Sequence, residues 1–293
     1  MKLVRPAQLE RELKELYDSG LPSGDKTGWP AVDELYTVVP GQLTIITGFP
    51  GSGKSQWLDA LCLNLSDKGW LFAVHSPENM PKELHLAKWV SQYIRKPFRE
   101  GRTERLTWDE AKEAMFDLSK HFAFISPKGE EAMNIGQILE AATILFDDDF
   151  SGMKHGLIID PWNEVSHSER SQHFSETEYI GQCLSLVRRW ARERKTHVWI
   201  VAHPQKLKRD DGHKLPIPTP DSISSSMNWW NKADCCLTIH RDQIEGNQDV
   251  DVHVQKIRFA HVGRTGVCTL RFDRVTGRYH SILRSVGDVR GVE

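Results

Sequence analysis

At 293 residues, 39% hydrophobic and 27% charged, the chain is long enough for one large α/β domain or two small ones. A net charge of −2 and a pI of about 6.7 announce no nucleic-acid partner, so any basic surface must be local. Five cysteines without a C-x-x-C pair read as reduced thiols of a cytosolic protein, and no apolar run reaches the length of a membrane span.

Residues 6–18 place Leu9, Leu13, Leu16 and Tyr17 on one helical face, and the Gly20–Gly24 stretch then breaks the helix. Residues 1–24 therefore read as an amphipathic linker helix, and 25–293 as one domain. The apolar stripe must be covered either by its own domain or by a neighbouring subunit. Residues 1–20 lack the apolar segment of a secretory signal. Glu10, Glu12 and Glu15 also argue against a transit peptide, so the chain is expected to be cytoplasmic rather than mitochondrial.

Leu43–Thr47 is β-branched and apolar and reads as a buried strand. It runs into Gly48-Phe49-Pro50-Gly51-Ser52-Gly53-Lys54-Ser55, the G-x-x-x-x-G-K-S phosphate-binding loop, and a helix over Gln56–Leu65 follows. Glycines in the loop let backbone N–H groups surround an anion, and the helix start adds positive potential at the same point. Lys54 is expected to reach the β- and γ-phosphates of ATP or another NTP, and the Ser55 hydroxyl to hold Mg²⁺.

A second strand, Trp70–His75, ends at Ser76-Pro77-Glu78. Helical patterns follow at 81–93 and 107–120, a short strand at Phe122–Ile125 and a helix near Ile135–Phe146. A strand over 156–159 ends in Asp160, and a helix over 177–194 precedes the strand Val198–Ala202, which ends at His203. Strands near 235–240, 250–259, 267–273 and 278–283 close the chain, the last two joined by the turn Asp273–Gly277. Alternating strands and helices imply a mostly parallel twisted sheet flanked by helices, with an antiparallel C-terminal hairpin. Ligands in such sheets bind at the carboxyl ends of strands, where the glycine loop, Glu78, Asp160 and His203 all fall.

Asp160 suits a second Mg²⁺ contact opposite Ser55, or a helix cap before Pro161. Glu78 suits a base that orients water, or a cap for the helix near Pro81. His203 or Gln205 could sense the γ-phosphate. Lys256 and Arg258 are two residues apart on one strand, so they share a face, read here as the face of Val250, Val252 and Val254. They suit an arginine finger reaching a neighbour's site. The loop 204–225 carries Lys206, Lys208, Arg209 and Lys214, with Ser224, Ser225 and Ser226 at and just beyond its end; cations and hydroxyls there suit a nucleic-acid backbone. Trp229 and Trp230 could stack on bases, though core packing suits them better.

The ordered set Thr27-Gly28-Trp29 to Asp33, Gly48–Ser55, Ser76-Pro77-Glu78, Ile159-Asp160, Val201–Pro204, Lys232–Cys235, Lys256-Ile257-Arg258-Phe259, Gly263–Gly266 and Thr276-Gly277 resembles the DnaB-like replicative hexameric helicases. The likeness is particular to the ATPase domain of Twinkle-type and phage primase-helicases and covers about residues 25–283. It implies a RecA-like core, a ring usually of six subunits, ATP at subunit interfaces, and 5′-to-3′ movement on single-stranded DNA at a replication fork. By motif position Glu78 is the expected base, Asp160 the second Mg²⁺ acid and His203 the γ-phosphate sensor. Lys256 and Arg258 are the expected trans-acting pair, and Asp221–Met227 the DNA loop, without the Arg-Glu that many bacterial members carry. The resemblance also favours docking of the first helix on an adjacent subunit and a bacterial or phage-infected host. It implies a helicase without a primase module or a fragment of a larger chain. The rival readings are a RecA-like recombinase and a RecA-like ATPase that does not act on DNA.

Overall fold

The computed structural model describes residues 3–127, 129, 131–168, 175–205, 216–223, 227–242 and 246–282. The apolar runs become β1 (Leu43–Thr47), β2 (Trp70–His75), β3 (Phe122–Phe124), β4 (Lys154–Ile159), β5 (Thr196–Val201) and β6 (Cys235–His240). The alternating ones become β7 (Asp249–Ile257) and β8 (Gly266–Phe272), and a short β9 (Tyr279–Ser281) follows. All these described strands lie in one sheet, ordered β3-β2-β4-β5-β1-β6-β7-β8-β9. Pairing is parallel from β3 to β6, as the sequence pattern predicts, and antiparallel from β6 to β9, where that pattern predicts only the last hairpin.

Burial explains the two kinds of run. Every residue of β1, β2 and β5 is buried, because helices cover both faces of the parallel half. The helices are α1 (Glu10–Ser19), α2 (Pro30–Asp33), α3 (Lys54–Ser66), α4 (Lys82–Ile94), α5 (Trp108–Leu118), α6 (Ile135–Asp147), α7 (Glu176–Arg194) and α8 (Asn228–Lys232). Capping boxes fix the starts of α5, α6 and α7, through Thr107 with Glu110, Asn134 with Gln137 and Ser175 with Glu178.

Two cores flank the sheet. One joins Trp57, Trp70, Trp89 and Trp199 to Val250, Val252 and Val254. The other joins α6, α7 and Trp229 to Leu43, Ile45 and Cys236. Trp229 is fully buried edge-on to Trp162, 5.3 Å between ring centroids, which leaves it no face for a base. The Thr27–Asp33 motif closes on itself, since Asp33 accepts from the Thr27 backbone and hydroxyl. Trp29 then donates to the Tyr279 carbonyl at 3.0 Å and ties the domain's first residues to its last described strand.

One alternation fails. Opposite the step from Leu237 to Cys236 the β6–β7 register shifts, so Leu237 pairs with Val254 and Cys236 with Lys256. Leu237 and Cys236 belong to opposite cores, so Val254 and Lys256 face opposite ways. The expectation that Lys256 and Arg258 share the valine face is corrected by this bulge, which inserts Gln255. Nor is β7 a sheet edge; β8 and β9 lie outside it. The α1 stripe is bare, with Leu13 67% and Tyr17 84% exposed, and no residue of α1 is buried against the described domain.

Candidate nucleotide site

The glycine loop leaves the carboxyl end of β1 and closes at the start of α3. Gly48, Gly51 and Gly53 have φ of 146°, 75° and 96°, values that suit glycine. A Cβ on Gly48 would lie 2.3 Å from the Ile239 carbonyl oxygen, so the turn admits no side chain there. Lys54 is buried, and its Nζ donates to the Gly48 and Phe49 carbonyls at 2.9 and 3.1 Å. Burial lowers the Lys54 ammonium to about 8, against the opposing pull of Asp160 and Glu78. The Ser52 hydroxyl is buried without a partner among the described residues.

Asp160 is 4% exposed at the end of β4. Burial raises its carboxyl to about 6, while a hydrogen bond from Ser55 opposes the rise. That bond brings together the two groups expected to hold Mg²⁺. Among the described residues no three His, Cys, Asp or Glu gather as a metal cluster. An oxygen pair of one acid and one hydroxyl fits an ion that takes its remaining ligands from water and phosphates.

Glu78 follows β2 on a 3-10 turn, Pro77–Asn79, and is exposed. It does not cap α4, whose N-cap Pro81 receives no side-chain hydrogen bond. His203 Nε2 lies 3.6 Å from Glu78 Oε1, so the expected base and sensor face each other. Burial and nearby Lys54 lower the His203 imidazole and favour the neutral ring, against the opposing pull of Glu78. The His203 N–H reaches Asn163 Oδ1 at 3.4 Å, in the turn after Asp160. Gln205 is exposed, and its N–H donates to the Ser222 carbonyl at 2.8 Å. Lys54, Ser55, Glu78, Asp160 and His203 thus converge. Lys206, Lys208, Arg209, Ser224, Ser225 and Ser226 lie outside the described residues.

Sequence reasoning missed three neighbours. Arg241, just past β6, donates to the Gly51 carbonyl at 2.8 Å. The Tyr279 hydroxyl lies 3.2 Å from where a Gly53 Cβ would stand. Asp59, one turn into α3 from Ser55, is buried with His85 Nε2 at 3.0 Å and Lys88 Nζ at 2.5 Å. Burial alone would raise the Asp59 carboxyl, but Lys88 and His85 hold it well below the usual range. The i+4 spacing of Ser55 and Asp59 was visible; the partners on α4 were not.

Lys256 and Arg258 sit at the other end of the sheet. Lys256 Nζ donates to the Trp230 carbonyl. Arg258 Nη2 donates to the Asn231 and Ala233 carbonyls at 2.9 and 3.0 Å, and its Nε to Asp234 Oδ1 at 2.9 Å. The same Asp234 accepts from the N–H of Leu43, the first residue of β1, whereas Lys54 lies beyond the last. The length of β1 therefore separates the pair from its own phosphate loop.

A glycine loop on a central parallel strand, with a buried lysine, a serine bonded to a strand-end acid and a second carboxylate beside it, is the arrangement of a phosphate-loop nucleotide-binding protein. The model of the DnaB-like helicase C-terminal domain matches residues 24–281, and the chain belongs to that family. The Twinkle homolog protein, chloroplastic/mitochondrial, of Arabidopsis thaliana is 37% identical over 281 residues, 92% of this chain and 38% of that protein. The chain thus spans well under half of that relative. The ATPase domain of G40P superposes with a TM-score of 0.77 at 18% identity, over 95% of this chain and all of that one. A DnaB-like replicative helicase, described with its interactions with primase, gives 0.77 at 17%, over 95% of this chain and 68% of that one. The fold is RecA-like.

Proposed function

We propose that this chain is the ATP-driven motor of a ring-shaped replicative DNA helicase that moves 5′ to 3′ on single-stranded DNA. The observation that carries the reading is the family match over residues 24–281, which spans every motif of the site and favours a helicase over a recombinase.

In this reading the loop N–H groups and Lys54 bind the β- and γ-phosphates, and Ser55 and Asp160 hold Mg²⁺. Held by those two groups, Mg²⁺ would supply neutralisation of the charge that develops on the phosphates. Glu78 orients the attacking water and accepts its proton. His203, in contact with Glu78 and next to the loop that starts at Pro204, reports loss of the γ-phosphate, with Gln205 as second reporter. Lys256 and Arg258 act on the nucleotide of the neighbouring subunit, because the length of β1 keeps them from their own. Lys206, Lys208 and Arg209, with Ser224, Ser225 and Ser226, line the DNA channel.

The bare stripe of α1 supports a division into a linker helix, 1–24, and a motor domain from residue 25, with the stripe docked on the adjacent subunit of a hexamer. The primase named with one structural neighbour suggests a primase partner or module for this chain as well. Among the described residues no helix is long and apolar enough to cross a membrane, and a cytoplasmic site is proposed.

The test is unwinding of a forked duplex with ATP, set beside strand exchange and beside ATPase activity with and without single-stranded DNA. Unwinding with a single-stranded 5′ tail, and DNA-stimulated hydrolysis, are expected. Strand exchange without unwinding would support a recombinase. Hydrolysis indifferent to DNA would overturn both readings.

A further inference from the structure

Asp234 is 1% exposed, between α8 and β6, and four cationic or polar groups converge on it. Its Oδ2 accepts the Leu43 N–H at 3.1 Å. Its Oδ1 meets Arg258 Nε at 2.9 Å, Arg188 Nη2 at 3.0 Å and Arg192 Nη2 at 3.5 Å. Three guanidinium groups this close repel one another, and the one carboxylate offsets only part of that repulsion.

The arrangement fixes Arg258 in a particular way. Nε is held by Asp234, and Nη2 by the Asn231 and Ala233 carbonyls. Nη1 donates to no described residue. The side chain is 30% exposed, so a guanidinium clamped on one edge leaves the other edge to solvent. A planar, rigidly held fork of this kind loses little freedom when an anion arrives.

We infer that Asp234 is a positioning residue for hydrolysis: it holds Arg258 by Nε so that Nη1 faces the phosphates bound by the adjacent subunit. The inference rests on the proposed trans-acting role of Arg258. Arg188 and Arg192 lie on α7, and the carbonyls at the end of α8 complete the clamp. Through the Asn231 and Ala233 carbonyls the clamp ties Arg258 to the end of α8.

The test is Asp234→Asn in the full chain. Asparagine keeps the shape, but it has one oxygen to serve both Leu43 and Arg258, and its amide NH₂ repels the guanidiniums. Single-stranded-DNA-stimulated kcat should fall about 100-fold, the scale of an ångström of misplacement. Binding of a fluorescent ATP analogue should change less than about twofold, because the protein's own phosphate loop lies at the other end of β1. In mixed oligomers Asp234→Asn should behave as Arg258→Ala does. It should recover activity with Lys54→Ala to the same extent, and none with Arg258→Ala. A general structural defect would weaken nucleotide binding as well and would not copy this pattern.

Arg258→Lys is the second variant. It keeps the charge but has no Nε for Asp234, and should lose nearly as much kcat as Arg258→Ala. Should Asp234→Asn fail to assemble, Arg258→Lys alone decides, and a wild-type kcat overturns the inference. If Arg258→Ala is inactive while Asp234→Asn turns over normally, positioning by Asp234 is wrong and the finger stands. If Arg258→Ala itself turns over normally, the proposed trans role has failed.

Discussion

The two ends of strand β1 hold charge in opposite ways. At its carboxyl end Lys54 is buried against two backbone carbonyls and pulled down to about 8, and Asp160 is buried and pushed up to about 6. Both groups are desolvated without full compensation. At its amino end Asp234 is more deeply buried, yet each of its oxygens has a partner, and Arg258 is bonded along one edge. The first end has charges that a nucleotide and a metal ion would satisfy; the second is finished before any ligand arrives. A ligand-dependent pocket and a prearranged guanidinium are thus built on one strand, and in the proposed reading they join into one site where two subunits meet.

The comparison breaks first if the loop end does not need its lysine. Lys54→Ala should lower hydrolysis by about 10³-fold or more and weaken nucleotide binding, measured by steady-state ATPase and analogue titration. Normal turnover would detach the loop from the chemistry. Glu78→Gln keeps the shape and removes the proposed base; it should cost about 10²–10⁴ in kcat with analogue binding unchanged.

A smaller effect is expected on DNA. Exchanging Lys206, Lys208 and Arg209 for Ala should make the salt dependence of single-strand binding shallower by about 2 in log–log slope, given about 0.7 per phosphate contact. An unchanged slope and affinity would move DNA off this loop.

The smallest effect concerns stability and carries a definite sign. The folded Asp160 carboxyl is raised to about 6, so the folded state holds its proton more tightly than the unfolded chain does. The favourable contribution is complete below the ordinary carboxylate range and is lost as pH rises through about 6. Asp160→Asn should therefore stabilise the ligand-free protein near pH 8 by about 1–2 kcal/mol, part of the gain being offset at Lys54. The gain should shrink as pH falls below 6, read by thermal melts across pH. A variant that is less stable at high pH would show that Asp160 is not an uncompensated charge.

What the sequence reveals follows from how local the physics is. The glycine loop, strand β1 and α3 are contiguous, so spacing alone exposes them. Asp160 and His203 are legible because apolar strands point to their own carboxyl ends. The Asp234–Leu43 bond spans 191 positions and depends on β6 lying beside β1, which no local pattern states. Arg241 and Tyr279 meet the loop for the same topological reason. The bulge at Gln255 is invisible to strict alternation, and it alone moves Lys256 to the other face.

The most direct measurement is the ATPase rate of Arg258→Ala, alone and mixed with Lys54→Ala, with subunit exchange followed independently. Alone, Arg258→Ala should form normal oligomers, bind nucleotide and hydrolyse about 10³–10⁵ times more slowly. On mixing, interfaces that pair an intact loop with an intact Arg258 should restore part of the rate. DNA-stimulated hydrolysis at the wild-type rate by Arg258→Ala alone would contradict a site shared between two subunits.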